Sequence, residues 1–232
     1  GGFGMARGLG WEFLDSAKNP LPEWPALTQL NSIVQPLNRP LPPITTAVDV
    51  QNPLLGPNGC TRIYGPQKGL NESDLPIAED ALKKLARIWK QQTDADAAQL
   101  PGSGAAGGLG FGLHCFANAE LQSGFELFAR TVRLVEKLAE ADIVITGEGG
   151  MDRQTVMGKG VGELAKLARQ HDCRCLAFAG TVSDEATLES DFEQCSSLTE
   201  LTSCTEAIAH PARWLQALAQ RTAEHLTETE PN

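Results

Sequence analysis

The sequence predicts an α/β fold built on a parallel sheet, and three observations predict it. Ile143-Val144-Ile145-Thr146, closed by Gly147, is a β-branched run of the kind buried in parallel sheets. From Gly160 the apolar spacing turns helical, with Val161, Leu164, Ala165 and Ala168 on one face. A second apolar run, Cys173 to Gly180, then reads as the next strand. Strand, loop, helix and strand make one βαβ unit. In open α/β sheets, ligands collect beyond the carboxyl ends of the strands. The loop there carries Glu148, Asp152, Gln154 and Lys159, two acids, an amide and a cation together. A glycine-rich turn with solvated charges is the plain alternative.

Composition narrows the classes. The chain has 232 residues, 41% hydrophobic and 21% charged, a balance that suits a globular protein of one large or two small domains. A net charge of −10 argues against wrapping nucleic acid or an anionic membrane, which need a clustered basic surface. A local phosphate site stays open, because a few lysines and backbone amides can form one. No apolar run approaches the ~20 residues of a membrane span, and no signal-peptide pattern opens the chain. The six cysteines are scattered, without the paired spacings of a zinc site, and read as reduced thiols of a cytoplasmic protein. The chain opens Gly1-Gly2-Phe3-Gly4-Met5, which reads as a cut inside a glycine-rich turn.

Taken in order, Gly4 to Leu9 predicts a short helix with Met5 and Leu9 on one face, and Trp11 to Leu14 a brief strand. Seven prolines between Asp15 and Pro43 forbid long helices and predict an extended surface connector, with a helical turn near Pro25 to Leu30. Ile44 to Val50 reads as a strand that ends in Asp49, followed by turn signals from Asn52 to Gly59 and by Gly65-Pro66-Gln67-Lys68-Gly69. Glu79 to Gln92 is an amphipathic helix on Leu82, Leu85, Ala86 and Trp89. Pro101 to Gly112 holds too many glycines for a stable helix interior, at ~1 kcal/mol each. It suits backbone close to a phosphate, or to a neighbouring helix. Neither it nor Gly158-Lys159-Gly160 fits the Walker A pattern, and the dinucleotide fingerprint fits poorly. Ser123 to Ala141 predicts one helix with Phe125, Phe128, Val132, Val135 and Leu138 inward. Ser183 or Asp184 can cap a short helix, Ser197 to Thr202 reads as a strand, and Ala207 to Leu226 as a terminal helix with Trp214, Leu215, Leu218 and Leu226 inward.

Five of these stretches, in this order, resemble the bacterial-type glycerate kinase family: residues 1–10, 48–69, 101–113, 142–168 and 176–185. Each is moderately specific, and the series covers nearly the whole chain. The resemblance implies two α/β lobes, one with a Rossmann-like parallel sheet flanked by helices, here 1–140 and 141–232, with the active site between them. It implies ATP-dependent phosphorylation of D-glycerate, leaning to 2-phosphoglycerate, with Mg2+. Members are longer and carry further loops ahead of the Gly1 to Met5 stretch. The chain therefore reads as the carboxyl-terminal part of such an enzyme, and a catalytically inactive module binding a small anion or a partner chain stands as the alternative. A homo-oligomer is compatible with this reading.

Phosphoryl transfer needs cations and N–H donors for phosphate, a carboxylate for the metal, and a group to orient the attacking hydroxyl. Lys68 and Lys159 are candidates for phosphate or glycerate-carboxylate contacts. Asp49 and Asp152 are candidates for metal holding or for accepting the hydroxyl proton, and Glu148 for either role. Asn52, Gln67 and Gln154 are candidates to orient substrate. Gly102, Gly104, Gly107, Gly108, Gly147, Gly149 and Gly158 are expected to bring backbone close to substrate or nucleotide. The order of the acids along the chain does not separate base from metal ligand.

Overall fold

The computed structural model describes residues 1–37, 41–152, 155, 160–183 and 191–228. Its contacts divide the chain into two units, Gly1–Leu127 and Phe128–Asn232.

In the first unit, α1 (Phe3–Gly8) buries Phe3 and Ala6, with Met5 only partly covered, so its inward face is rotated from the Met5/Leu9 expectation. The strand β1 (Glu12–Leu14) pairs antiparallel with β2 (Ser32–Val34). Between them runs a 3-10 turn, Trp24–Gln29, with Pro25 in its first turn. The proline-rich connector is not a surface strap. Leu21, Leu27, Leu30 and Ile33 are buried in the core with Phe13, Leu85 and Phe111. Prolines exclude a long helix but leave side chains free to point inward, and no apolar period announces this. The helix α2 (Cys60–Tyr64) and a 3-10 turn, Pro66–Lys68, follow β3 (Thr45–Val48).

The long helix α3 (Leu75–Thr93) starts with Pro76 in its first turn and buries Ala78, Ala81, Leu85, Ala86 and Ile88. Near its end, Gln92 donates Nε2 to the Ile33 carbonyl at 2.9 Å and accepts the Ile33 amide on Oε1 at 2.8 Å, completing the edge of β2 as a strand would. Trp11 and Trp89 each meet Phe116 edge-on at 5.2 Å and lie tilted to one another at 5.8 Å between centroids, and Trp11 Nε1 donates to the Phe116 carbonyl at 2.9 Å. The glycine run does enter a helix, α4 (Ala105–Ala117), but Ala106, Gly107 and Gly108 are left-handed, so regular helix begins only past them. After α4, β4 (Glu120–Ser123) pairs parallel with β3, Val48 opposite Ser123.

The predicted helix 123–141 is two. The segments α5 (Gly124–Thr131) and α6 (Leu134–Ala139) are separated by Arg133 at φ 52°. Only Leu138 of the expected stripe is buried; Phe128 is 57% exposed and Val135 42%.

In the second unit, β5 (Ile143–Met151), β6 (Arg174–Val182) and β7 (Gln194–Ser197) form a parallel sheet in that order. The helix α7 (Gly160–Gln170) buries Gly162, Ala165 and Ala168 against Cys175, Ala177 and Ala179. A 3-10 turn, Leu198–Glu200, stands where the strand 197–202 was expected. The helices α8 (Cys204–Ala209) and α9 (Pro211–Glu228) follow it, divided at Pro211. Phe178 packs on Leu198, Ala207, Leu218 and Trp214, whereas Leu215 is 45% exposed rather than inward. Both faces of β6 are therefore covered, which its unbroken apolar sequence predicts.

Candidate active site

The first cluster of chemistry-bearing residues grows from the end of β3. Beyond Val48, the chain bends at Asp49 and passes through Asn52 before entering α2. Asn52 is held on both ends of its amide: Oδ1 accepts from the Tyr64 hydroxyl at 2.7 Å, and Nδ2 donates to the Asn58 carbonyl at 2.9 Å. Tyr64 therefore joins α2 to the loop after β3. Its phenol is raised above the ordinary range, first by burial and then by the charge of nearby Asp49.

The glycine run docks on the same loop. The Gly104 amide donates to the Asn52 carbonyl at 2.9 Å. A Cβ on Gly104 would sit 2.2 Å from the Pro53 carbonyl oxygen, and one on Gly102 2.7 Å from Val48 Cγ2. The amide of Gly108 is committed to the Gly104 carbonyl. Gly102, Gly104 and Gly108 are buried, and their lack of a side chain serves close packing: Gly104 on backbone, Gly102 on the Val48 side chain, and Gly108 on the Leu54 side chain and the Gly1 backbone. Gly107 is different. It is half-buried, left-handed at φ 75°, and a Cβ there would lie 3.1 Å from Lys68 Nζ. Lys68 thus lies directly against Gly107, and both line a cavity of about 710 Å³ that Cys60, Thr61, Tyr64 and Ala106 also line. Gln67 sits beside Lys68 in the 3-10 turn and is exposed, as is Asp49.

The second cluster stands at the carboxyl end of β5. That strand runs on to Met151, so Gly147, Glu148, Gly149 and Gly150 lie within it and not in a loop. The sequence reads these glycines as a turn. The actual reason for them is the neighbouring strand: a Cβ on Gly147 would be 2.2 Å from the Phe178 carbonyl oxygen, and one on Gly180 2.5 Å from that of Gly149. Gly149 itself has open space around its Cβ position. Glu148 is half-buried, and its Oε1 accepts from the Thr155 hydroxyl at 2.6 Å. The same hydroxyl oxygen accepts the Asp152 amide at 3.2 Å, while the Thr155 amide donates to the Asp152 carbonyl at 2.9 Å. The Ser183 amide, just past β6, donates to the Met151 carbonyl at 2.9 Å. Gln154, Gly158, Lys159 and Asp184 lie outside the described residues.

Each unit therefore gathers its own candidates: Asp49, Asn52, Gln67, Lys68 and Gly107 in the first, Glu148 and Asp152 in the second. Two residues absent from the sequence-derived set, Tyr64 and Thr155, hold members of it in place. Both act through a neighbour, and neither belongs to a pattern of charged or glycine residues. Among the described residues, no three His, Cys, Asp or Glu side chains gather as a metal cage. No described helix is long and apolar enough to cross a membrane.

The model of the glycerate kinase family matches residues 1–227. The chain belongs to the glycerate kinase family. Among curated members, it is 36% identical to the glycerate 2-kinase of Escherichia coli K12 over 80% of its own length and 50% of that protein. It is 35% identical to a glycerate kinase of Halalkalibacterium halodurans over 96% of its length and 60% of that protein. A crystal structure of a protein assigned as glycerate kinase 2 from Salmonella typhimurium LT2 superposes with a TM-score of 0.65 at 33% identity, over 85% of this chain and 52% of that one. The chain spans about half the length of the family members it matches. The mixed α/β architecture with parallel sheets flanked by helices agrees with that relationship.

Proposed function

We propose that the chain serves ATP-dependent phosphorylation of D-glycerate, giving 2-phosphoglycerate. The observation that carries this reading is the family match across 1–227, which includes every candidate site residue. In this reading the Lys68 ammonium, which lies against Gly107 at the cavity wall, neutralises a phosphate or the glycerate carboxylate. The doubly anchored Asn52 keeps the loop after β3 rigid and retains one amide proton to orient substrate. Asp152 and Glu148 divide the tasks of holding Mg2+ and accepting the hydroxyl proton, and Asp49 is the further acid available for either.

The donor set fits Mg2+, which is usually held by one or two carboxylates plus substrate phosphates and not by a protein cage. Bound there, the ion would neutralise charge on the transferred group. The amides of Gly104 and Gly108 are engaged within the fold, so Gly107 is the member of the run positioned to approach a ligand.

A coupled ADP-release assay on this polypeptide with D-glycerate and MgATP tests the reading, with enolase as a second coupling step to recognise 2-phosphoglycerate. Asp152→Asn is expected to lower kcat at least ~100-fold with the fold retained; near-normal turnover would refute its role. A second reading is kept because the chain spans about half of its relatives: a module that binds a small anion or a partner chain without turnover. D-glycerate-dependent ADP release by this polypeptide excludes it.

A further inference from the structure

We propose that Thr155 is a positioning residue, whose hydroxyl fixes the Glu148 carboxylate so that Oε2, and not Oε1, is presented to the reaction. The inference rests on the kinase reading for what Glu148 does, and on geometry alone for how it is held. Thr155 is fully buried at 0% exposure. Its hydroxyl has one proton, directed to Glu148 Oε1 at 2.6 Å, and its oxygen takes the Asp152 amide at 3.2 Å. With its own amide bonded to the Asp152 carbonyl at 2.9 Å, the residue is held at three points. A β-branched side chain so constrained has little rotamer freedom. The hydroxyl therefore acts as a rigid link between two candidate acids: it captures one oxygen of Glu148 and caps the turn that begins at Asp152. At 2.6 Å the bond to Glu148 lies at the short end of the hydroxyl-to-oxygen range. A hydroxyl serving only as a cap for the turn would need the Asp152 amide and nothing from Glu148. The observed bond to Oε1 is what separates the two roles.

The test uses the full chain with Thr155→Val, which keeps the shape and removes the hydroxyl, Thr155→Ser, which keeps the hydroxyl, Glu148→Gln, and the Thr155→Val/Glu148→Gln pair. Positioning predicts that Thr155→Val lowers kcat about tenfold or more with KM for D-glycerate changed less than about threefold. Thr155→Ser is expected to stay within about threefold of the parent. Once Glu148→Gln is present, Thr155→Val should add less than about twofold. In parallel, urea unfolding of the parent, Thr155→Val, Glu148→Gln and their pair should show a coupling of roughly tenfold in the unfolding constant, the scale of a hydrogen bond to a charged group.

Equal losses from the valine and serine variants, or additive effects in both cycles, overturn the inference and leave Thr155 as a turn cap. If Glu148→Gln leaves turnover unchanged, or the chain shows none, the kinase role of Glu148 fails instead. The unfolding cycle then decides by itself whether the hydroxyl holds the carboxylate. Should Thr155→Val not fold, Thr155→Ala makes the same comparison.

Discussion

At the scale of single residues, Tyr64 and Thr155 hold members of the candidate site in place without needing to touch a substrate. Tyr64 donates to Asn52 Oδ1 at 2.7 Å, and Asn52 in turn receives the Gly104 amide on its carbonyl. Tyr64→Phe should therefore cost about 1 kcal/mol in urea unfolding and raise KM for glycerate several-fold with little change in kcat. A kcat loss without a KM change would mean that the phenol acts in the chemistry itself. Gly104→Ala is the harsher change. Its methyl would stand 2.2 Å from the Pro53 carbonyl oxygen, backbone that cannot swing aside. A loss of about 3 kcal/mol is expected, the upper end of the range for overpacking in a dense core. The turn that carries Lys68 was legible in the sequence, because Gly65, Pro66 and Gly69 surround it; the role of its ammonium belongs to the proposed function. Tyr64 and Thr155 were not, since a phenol and a hydroxyl in ordinary surroundings reveal their roles only through hydrogen-bond partners.

At the scale of elements, the differences between expectation and structure share one cause: local pattern was overruled by a neighbour or a backbone angle. The strand β5 continues through Gly147 and Gly149 because β6 accepts the closely approaching backbone. The connector from Asp15 to Pro43 is buried at Leu21, Leu27, Leu30 and Ile33 although it carries no period to show it. The split between α5 and α6 is made by Arg133 in the left-handed region at φ 52° and ψ 53°, a residue type without any signal for it. That angle makes a ranking testable. Arg133→Gly should be neutral or stabilising by up to about 1 kcal/mol, because the relieved strain is offset by glycine's greater freedom when unfolded. Arg133→Val should destabilise by more than about 1 kcal/mol, since a β-branched residue tolerates that region least. Thermal unfolding of the two variants against the parent checks the order. A valine variant as stable as the parent would show that the helix simply re-forms through the break.

At the scale of the whole molecule, parallel pairing was legible because β6 is apolar on both faces and α7 follows its own period. The burial of the thiols was legible only as composition, yet it governs how stability depends on pH. Burial raises the thiols of Cys60, Cys115 and Cys175, the last to about 12 with help from its neighbours Cys173 and Cys195. These groups have folded values above the ordinary one near 8.5, so the fold prefers their protonated form. Their contribution is fully present below that ordinary value and is lost as pH rises through the window up to the folded values. Beyond about pH 9 the unfolded chain binds fewer protons than the native one, and stability falls by up to about 1.4 kcal/mol per pH unit for each thiol.

The acid side runs oppositely. The guanidinium of Arg174 holds Glu193 below its usual range through bonds of 2.7 to 3.0 Å, so that pair supports the fold above the ordinary carboxylate value and fails as pH drops through the depressed one. Urea midpoints measured from pH 3 to 10.5 should accordingly form a plateau with a steep alkaline limb. Cys115→Ala removes one ionising thiol, so its limb should be shallower by about one proton, even though the truncation lowers the plateau. An unchanged limb would mean that alkaline unfolding is driven by groups other than the buried thiols.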